Sequence, residues 1–167
     1  MNLRLLNKFF LINFLVVTLI FILDRFSKIF VINLAEGNIN QTLFVFKYLN
    51  IHLIWNKGVA FGFFSFDEAY TYNIITILII VIISILVIMV LKSNGFRKYA
   101  LLSILGGALG NLYDRFFYSA VPDFIDFHIE EFHWFIFNIA DIFITLGVIV
   151  MIMTEFFVKD NNSYEKI

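Results

Sequence analysis

Four aspartates stand inside or beside long apolar stretches, Asp24, Asp114, Asp123 and Asp141, and they offer the chain its best chemistry. A charged side chain facing lipid costs at least about 2.5 kcal/mol, so such residues persist where they face a bundle interior or a watered cavity. The chain has no cysteine, which removes thiol nucleophiles, disulfides and thiolate metal sites. Ser103 and Ser119 sit in no nucleophile-elbow pattern. The histidines are His52, His128 and His133. The run His128-Ile-Glu-Glu-Phe-His133 spaces two imidazoles five apart, not the four that put both ligands on one helical face, so no metal site is expected. What remains is a carboxylate pair. Two carboxyls held close cannot both ionise easily and so share a proton, one acting as base toward water and the other as acid toward a scissile carbonyl or leaving amine. This chemistry requires no cofactor.

Each residue also has a purely structural account. Asp24 with Arg25 and Lys28 fits an end-of-helix cluster that snorkels to the interface. Asp114 beside Arg115 reads as an ion pair, and Asn111 as a cross-helix hydrogen bond. Asp141, three residues after Asn138, suits a carboxylate at a helix N-terminus. Taken together the four are harder to dismiss as structural.

The elements that must hold these residues are apolar helices. Hydrophobic residues make up 61% and charged residues 15% of 167, against roughly half and a quarter in soluble domains. A net charge of −1 gives no reason to expect a nucleic-acid partner. Four stretches approach the roughly 20 apolar residues that cross a bilayer, at about 9–32, 72–91, 99–117 and 137–158. The first follows Arg4 and Lys8 as a secretory signal would, but no small-x-small cleavage site follows, so a retained helix is expected. The fold expected is an all-α membrane protein, a single domain over 1–167 with four transmembrane helices. Arg4 and Lys8, then Lys92, Arg97 and Lys98, put both termini and the middle connection on the cytoplasmic side. Segments 33–71 and 118–136 become outer loops. In the first, Leu49, Ile51 and Leu53 alternate with Asn50 and His52, a strand period, and aromatics such as Phe44, Trp55, Phe61, Phe63, Phe64 and Phe66 surround it. A small β-rich region at the outer interface is expected, with His133 and Trp134 beside it.

With this order of elements the chain resembles the bacterial lipoprotein signal peptidase family along nearly its whole length. Asp24-Arg-Phe-Ser-Lys28 is similar to the family's D-x-x-x-K element, and Asn56-Lys-Gly-Val-Ala-Phe61 to N-x-G-x-A-F. Gly106-Gly-Ala-Leu-Gly-Asn-Leu-Tyr-Asp-Arg115 resembles G-G-A-x-G-N-x-x-D-R. Val121-Pro-Asp-Phe-Ile-Asp126 and Phe137-Asn-Ile-Ala-Asp141 resemble V-x-D-F and F-N-x-A-D. The resemblance implies an aspartic endopeptidase of the bacterial cytoplasmic membrane, its active site toward the outer face. Its substrates would be prolipoproteins carrying a diacylglyceryl-modified cysteine, cut just before that cysteine. It implies Asp123 and Asp141 as the catalytic pair, with Asp24, Lys28, Asn56, Gly58, Asn111, Asp114, Arg115, Asn138 and Ala140 in support. It also implies membrane lipid as surroundings, no cofactor, and inhibition by globomycin-type lipopeptides. Ser119 stands where the family commonly has Gly, and Ile142 where it has a small polar residue.

Asp126 lies close enough in sequence to trade roles with Asp123. A monomer is expected, because four helices can enclose a polar site. The long outer loop at 33–70 would act as a gate excluding bulk water, and Arg115 would anchor it by pairing with Asp114. A small transporter or channel is the alternative, its carboxylates marking an ion path; a non-catalytic scaffold is a third reading. The apolar second helix, and the gathering of polar residues at one side, argue against transport.

Overall fold

The computed structural model describes residues 3–36, 42–58 and 68–164. The chain runs α1 (Leu3–Glu36), β1 (Thr42–Val45), β2 (Leu49–Asn56), α2 (Glu68–Lys92), α3 (Gly95–Tyr118), β3 (Val121–Ile129), β4 (Phe132–Phe137) and α4 (Ile139–Tyr164). Each long apolar stretch forms one helix, since the backbone of such a segment satisfies its own hydrogen bonds only in that form when no water is at hand. Segments α2 and α4, through Tyr72–Lys92 and Ile139–Phe156, are long and apolar enough to cross a membrane. Outward-facing side chains on the helices are large and apolar, including Phe10, Phe14, Leu19, Ile77, Leu91, Phe116 and Phe156. A surface of this kind fits hydrocarbon and not water.

Helix α3 is the hub and packs against the other three helices. Its glycines set the distance. A Cβ on Gly107 would lie 2.5 Å from the Ala140 carbonyl oxygen, and one on Gly110 2.5 Å from the Asp24 carboxylate. Bare backbone at these two positions lets α4 and α1 close on α3. One apolar cluster, Leu86, Val90, Leu101, Leu102, Ile104 and Leu105, joins α2 to α3. A second, Val31, Leu53, Phe124 and Ile125, packs the sheet against the end of α1.

All pairings in the sheet are antiparallel, in the order β1-β2-β3-β4. The strand expected from the alternation at 49–53 is β2. The second interhelical segment forms a full hairpin, β3 and β4, where the sequence suggested only a segment lying beside the sheet. Strand β3 is central, and its first six residues are all buried, so no period-two alternation marks it. Phe137 ends β4 and Asn138 precedes α4, so this helix starts two residues later than the expected boundary at 137. Phe61, Phe63, Phe64 and Phe66, and the greater part of the expected gate, lie outside the described residues.

Candidate active site

At the end of α1 nearest the sheet, a buried ionic cluster joins α1 to α3. Asp24, Lys28 and Asp114 have no solvent exposure, and Arg25 and Arg115 have 9%. Lys28 Nζ donates to Asp24 Oδ2 at 2.9 Å, to Asp114 Oδ2 at 2.6 Å and to Asn111 Oδ1 at 2.8 Å. All three of its donors are used. Arg25 lies 2.5 Å from Asp114 Oδ1 and 3.1 Å from Asp24 Oδ2, with its guanidinium 4.8 Å from the Tyr113 ring centre. Two anions and two cations therefore balance. The snorkelling expected of Asp24, Arg25 and Lys28 does not occur, because their heads turn inward to Asp114 and Asn111 on α3.

The expected Asp114–Arg115 pair is not formed either. Adjacent helical residues do not face each other, and Asp114 is taken by Arg25 and Lys28 on the neighbouring helix. Arg115 instead lies beside α2 and the end of β2. Its backbone carbonyl accepts from the Tyr72 hydroxyl, and its guanidinium stands 5.6 Å from the Tyr72 ring centre. It also lies against Gly58, where a Cβ would come within 3.2 Å of it.

The start of α4 carries a reciprocal cap. The Asn138 backbone N–H donates to Asp141 Oδ2 at 3.1 Å, and the Asp141 N–H donates to Asn138 Oδ1 at 3.1 Å. This is a capping box with Asn in the first position and Asp in the last. The Ala140 N–H, also unpaired within the helix at this end, donates to Asp24 Oδ1 at 3.0 Å. Asn111 Nδ2 donates to the other oxygen of Asp141, Oδ1, at 2.8 Å.

Asp123, on β3, faces the same cap. Its Oδ1 accepts from Asn138 Nδ2 at 2.6 Å and its Oδ2 from Asn56 Nδ2 at 2.9 Å. The Gly58 N–H donates to Asn56 Oδ1 at 2.7 Å, so the Asn56 amide must present its nitrogen to Asp123. Gly58 has φ of +84°, a conformation open to glycine and strained for other residues. Burial pushes the Asp123 carboxyl up to about 6; the Asn56 bond opposes this, the charge of Asp141 adds to it, and the Asn138 bond opposes it. Asn138 thus touches both carboxyl groups. The cap account of Asp141 and its place in a polar site hold together.

Beside Asp141 opens a cleft of about 210 Å³ lined by Phe135, Phe137, Asp141, Ile142, Thr145 and Leu146. The departure at Ile142 makes its wall apolar. The departure at Ser119 falls at the end of α3, where Ser119 is left-handed with φ of 54°; glycine suits that position best. Asp126 turns to other partners, Asn50 at 3.5 Å and His133 at 2.9 Å, and makes no hydrogen bond to Asn138 or Asn56 among the described residues. All three histidines gather around Asp126 from different strands, a convergence that spacing along one segment could not reveal.

Fold and site together define a helical membrane protein with two carboxyl groups tied to one asparagine. The family model described as signal peptidase (SPase) II matches residues 16–157. A lipoprotein signal peptidase of Pelagibacter ubique is 47% identical over 159 residues, covering 95% of this chain and 96% of that one. That of Anaplasma phagocytophilum is 42% identical, covering 87% and 92%. Two solved structures, each described as a bacterial membrane enzyme determined by the in meso method, superpose with TM-scores of 0.69 and 0.71 at 32% and 34% identity. They cover 93% and 85% of this chain, and 92% and 90% of their own. The chain belongs to the signal peptidase II family.

Proposed function

We propose that this protein removes the signal peptide from diacylglyceryl-modified prolipoproteins, with Asp123 and Asp141 as its catalytic pair. It is a peptidase by family, which sets the transport and scaffold readings aside. The observation that carries the assignment of the pair is Asn138, which donates its side-chain amide to Asp123 while its backbone N–H and side-chain oxygen engage Asp141. Aspartates used only for structure need no such common partner.

The pair holds one proton. The ionised carboxylate takes a proton from water as the water oxygen adds to the scissile carbonyl carbon, and the protonated carboxyl gives its proton to the carbonyl oxygen. The diol collapses as the carboxyl that gained the water's proton passes it to the amine nitrogen and the C–N bond breaks. The other carboxylate takes a proton from a diol hydroxyl, restoring the pair to one shared proton. Asn111, Asn138 and Asn56 hold the carboxyl groups in place, and Lys28, Asp24, Asp114 and Ala140 hold α1, α3 and α4 around them. Gly58 and Arg115 set the end of β2 that carries Asn56.

Four helices cross the membrane in this reading. The charges that interrupt α1 and α3 face each other inside the bundle, leaving apolar residues toward lipid. Both termini are cytoplasmic and the sheet lies at the outer interface, where the lipid-anchored cysteine of a substrate would also lie. The cleft beside Asp141 takes an apolar part of the substrate, and globomycin-type lipopeptides compete for it. The chain acts as a monomer.

The test is a gel-shift assay with a diacylglyceryl-modified prolipoprotein, comparing wild type with Asp123→Asn and Asp141→Asn. Cleavage by wild type alone supports the pair. An active Asp141→Asn protein would sink it.

A further inference from the structure

The chain has three histidines, and all three surround one buried carboxylate that the peptidase chemistry does not use. Asp126 is 1% exposed. The pairings of β2, β3 and β4 bring Asn50 opposite Asp126 and His128 opposite His133, with His52 two residues beyond Asn50. His133 Nδ1 lies 2.9 and 3.0 Å from the two Asp126 oxygens. His52 Nδ1 lies 3.9 Å from Asp126 Oδ2. The His128 ring stacks on that of His133 at 5.1 Å, and its Nδ1 is buried without a hydrogen-bond partner. No Lys or Arg pairs with Asp126 among the described residues.

We propose that Asp126, His128 and His133, with His52 as fourth ligand, form a binding site for a first-row divalent transition-metal ion of the zinc type. One ligand atom from each of the first three lies within 4.8 Å of the others. Ligands about 2.0–2.2 Å from a tetrahedral zinc stand roughly 3.4 Å apart, so small side-chain rotations close the set of three, and His52, 3.9 Å from Asp126, must swing in to complete it. Imidazole with carboxylate selects zinc, copper or nickel over magnesium or calcium, which take all-oxygen shells. The stacked imidazoles and the orphaned His128 nitrogen are what such a site looks like before it is filled. On binding, the proton that His133 Nδ1 shares with Asp126 passes to solvent. The ion would tie β2, β3 and β4 together three residues from Asp123, making it a structural clamp on the sheet. It takes no part in the hydrolysis.

The experiment uses tag-free, full-length protein in detergent, stripped with a chelator and titrated with Zn²⁺ by calorimetry, with Co²⁺ absorption as a second reading. One ion per chain is expected, with the visible bands of tetrahedral cobalt and a raised Tm. His128→Ala and His133→Ala each remove a ligand and should weaken uptake by more than the roughly 100-fold that loss of a ligand's supporting residue costs, and Glu155→Gln should leave it unchanged. Retained prolipoprotein cleavage by His128→Ala shows that this variant is folded. If a variant fails to fold, imidazole NMR of the wild-type protein decides, since Zn²⁺ must shift the signals of all three rings. No saturable uptake, uptake indifferent to the histidine changes, or imidazole signals unmoved by Zn²⁺ would overturn the proposal.

Discussion

Lys28 Nζ stands 2.8 Å from Asn111 Oδ1, and that bond decides which way the Asn111 amide faces. Lysine can only donate, so it takes the amide oxygen and leaves Nδ2 for Asp141, 2.8 Å away. A residue on α1 thus orients a carboxyl group on α4 through a side chain on α3. Replacing Lys28 by Met leaves Asp24 and Asp114 buried with one cation between them. Removing one partner of a buried pair costs about 3–5 kcal/mol. Unfolding in detergent should show that loss, and the folded fraction should cleave substrate far more slowly than wild type.

Asn138 separates stability from catalysis. In Asn138→Ser the hydroxyl keeps the cap on α4 but cannot reach Asp123, so stability should fall by about 1–3 kcal/mol, the cost of the lost bond to a buried carboxyl. Turnover should fall by about 100-fold, with KM little changed, because the carboxyl is misplaced and not the substrate. Asn138→Ala loses the cap as well and should cost about 1 kcal/mol more. Steady-state kinetics beside thermal unfolding distinguishes the two.

Asp123 should titrate near pH 6. Isotope-edited infrared spectroscopy of its carboxyl stretch can follow the proton. In Asp141→Asn the midpoint should fall, because the neighbouring charge that raises it is gone. The folded pKa lies above the unfolded value of about 3.9. The stability that Asp123 contributes is therefore fully present below about pH 4 and is lost as pH rises through about 6. Denaturation at pH 5 and pH 8 should differ in that direction, and Asp123→Ala should flatten the difference.

Gly58→Ala forces a Cβ into a φ of +84° and to within 3.2 Å of Arg115. A cost of roughly 1–2 kcal/mol is expected from the left-handed backbone. Because the Gly58 N–H also orients Asn56, the activity of the folded protein should drop too. A matched pair of unfolding and cleavage assays reads both effects.

Ser119→Gly should act in the opposite sense. Ser119 closes α3 with φ of 54°, and glycine adopts that conformation without Cβ strain. A gain of about 0.5–1 kcal/mol in unfolding free energy is expected, with cleavage unchanged.

The helices were legible because their apolar runs are long and their ends carry charge. The residues that meet in the site were legible as well: Asp24, Asn56, Asn111, Asp123, Asn138 and Asp141 stood out as polar groups in an apolar chain or as parts of spaced motifs. Asn111 and Asn138 were expected to bond the two carboxyls and do, but the ion-pair partners were not legible. Asp114 looked paired with Arg115 because the two are adjacent, yet a helix turns neighbours about 100° apart, and its cations come from α1. The strand at Val121–Ile129 was hidden because both its faces are buried at the start, which erases the alternation that reveals a half-exposed strand. The histidine cluster was hidden for a related reason. Its members meet across strands, and one-segment spacing tests only neighbours along the chain.

The bond from the Ala140 N–H to Asp24 spans 116 residues of sequence. Helix α1 carries the carboxylate that accepts from the start of α4, and α4 carries one member of the proposed carboxyl pair. A chain halted before Asn138 has Asp123 but neither Asn138 nor Asp141, and its Asp24 lacks the Ala140 amide that it binds in the complete fold. In such a chain the two carboxyl groups of the proposed pair never meet, because the residue that touches both is missing.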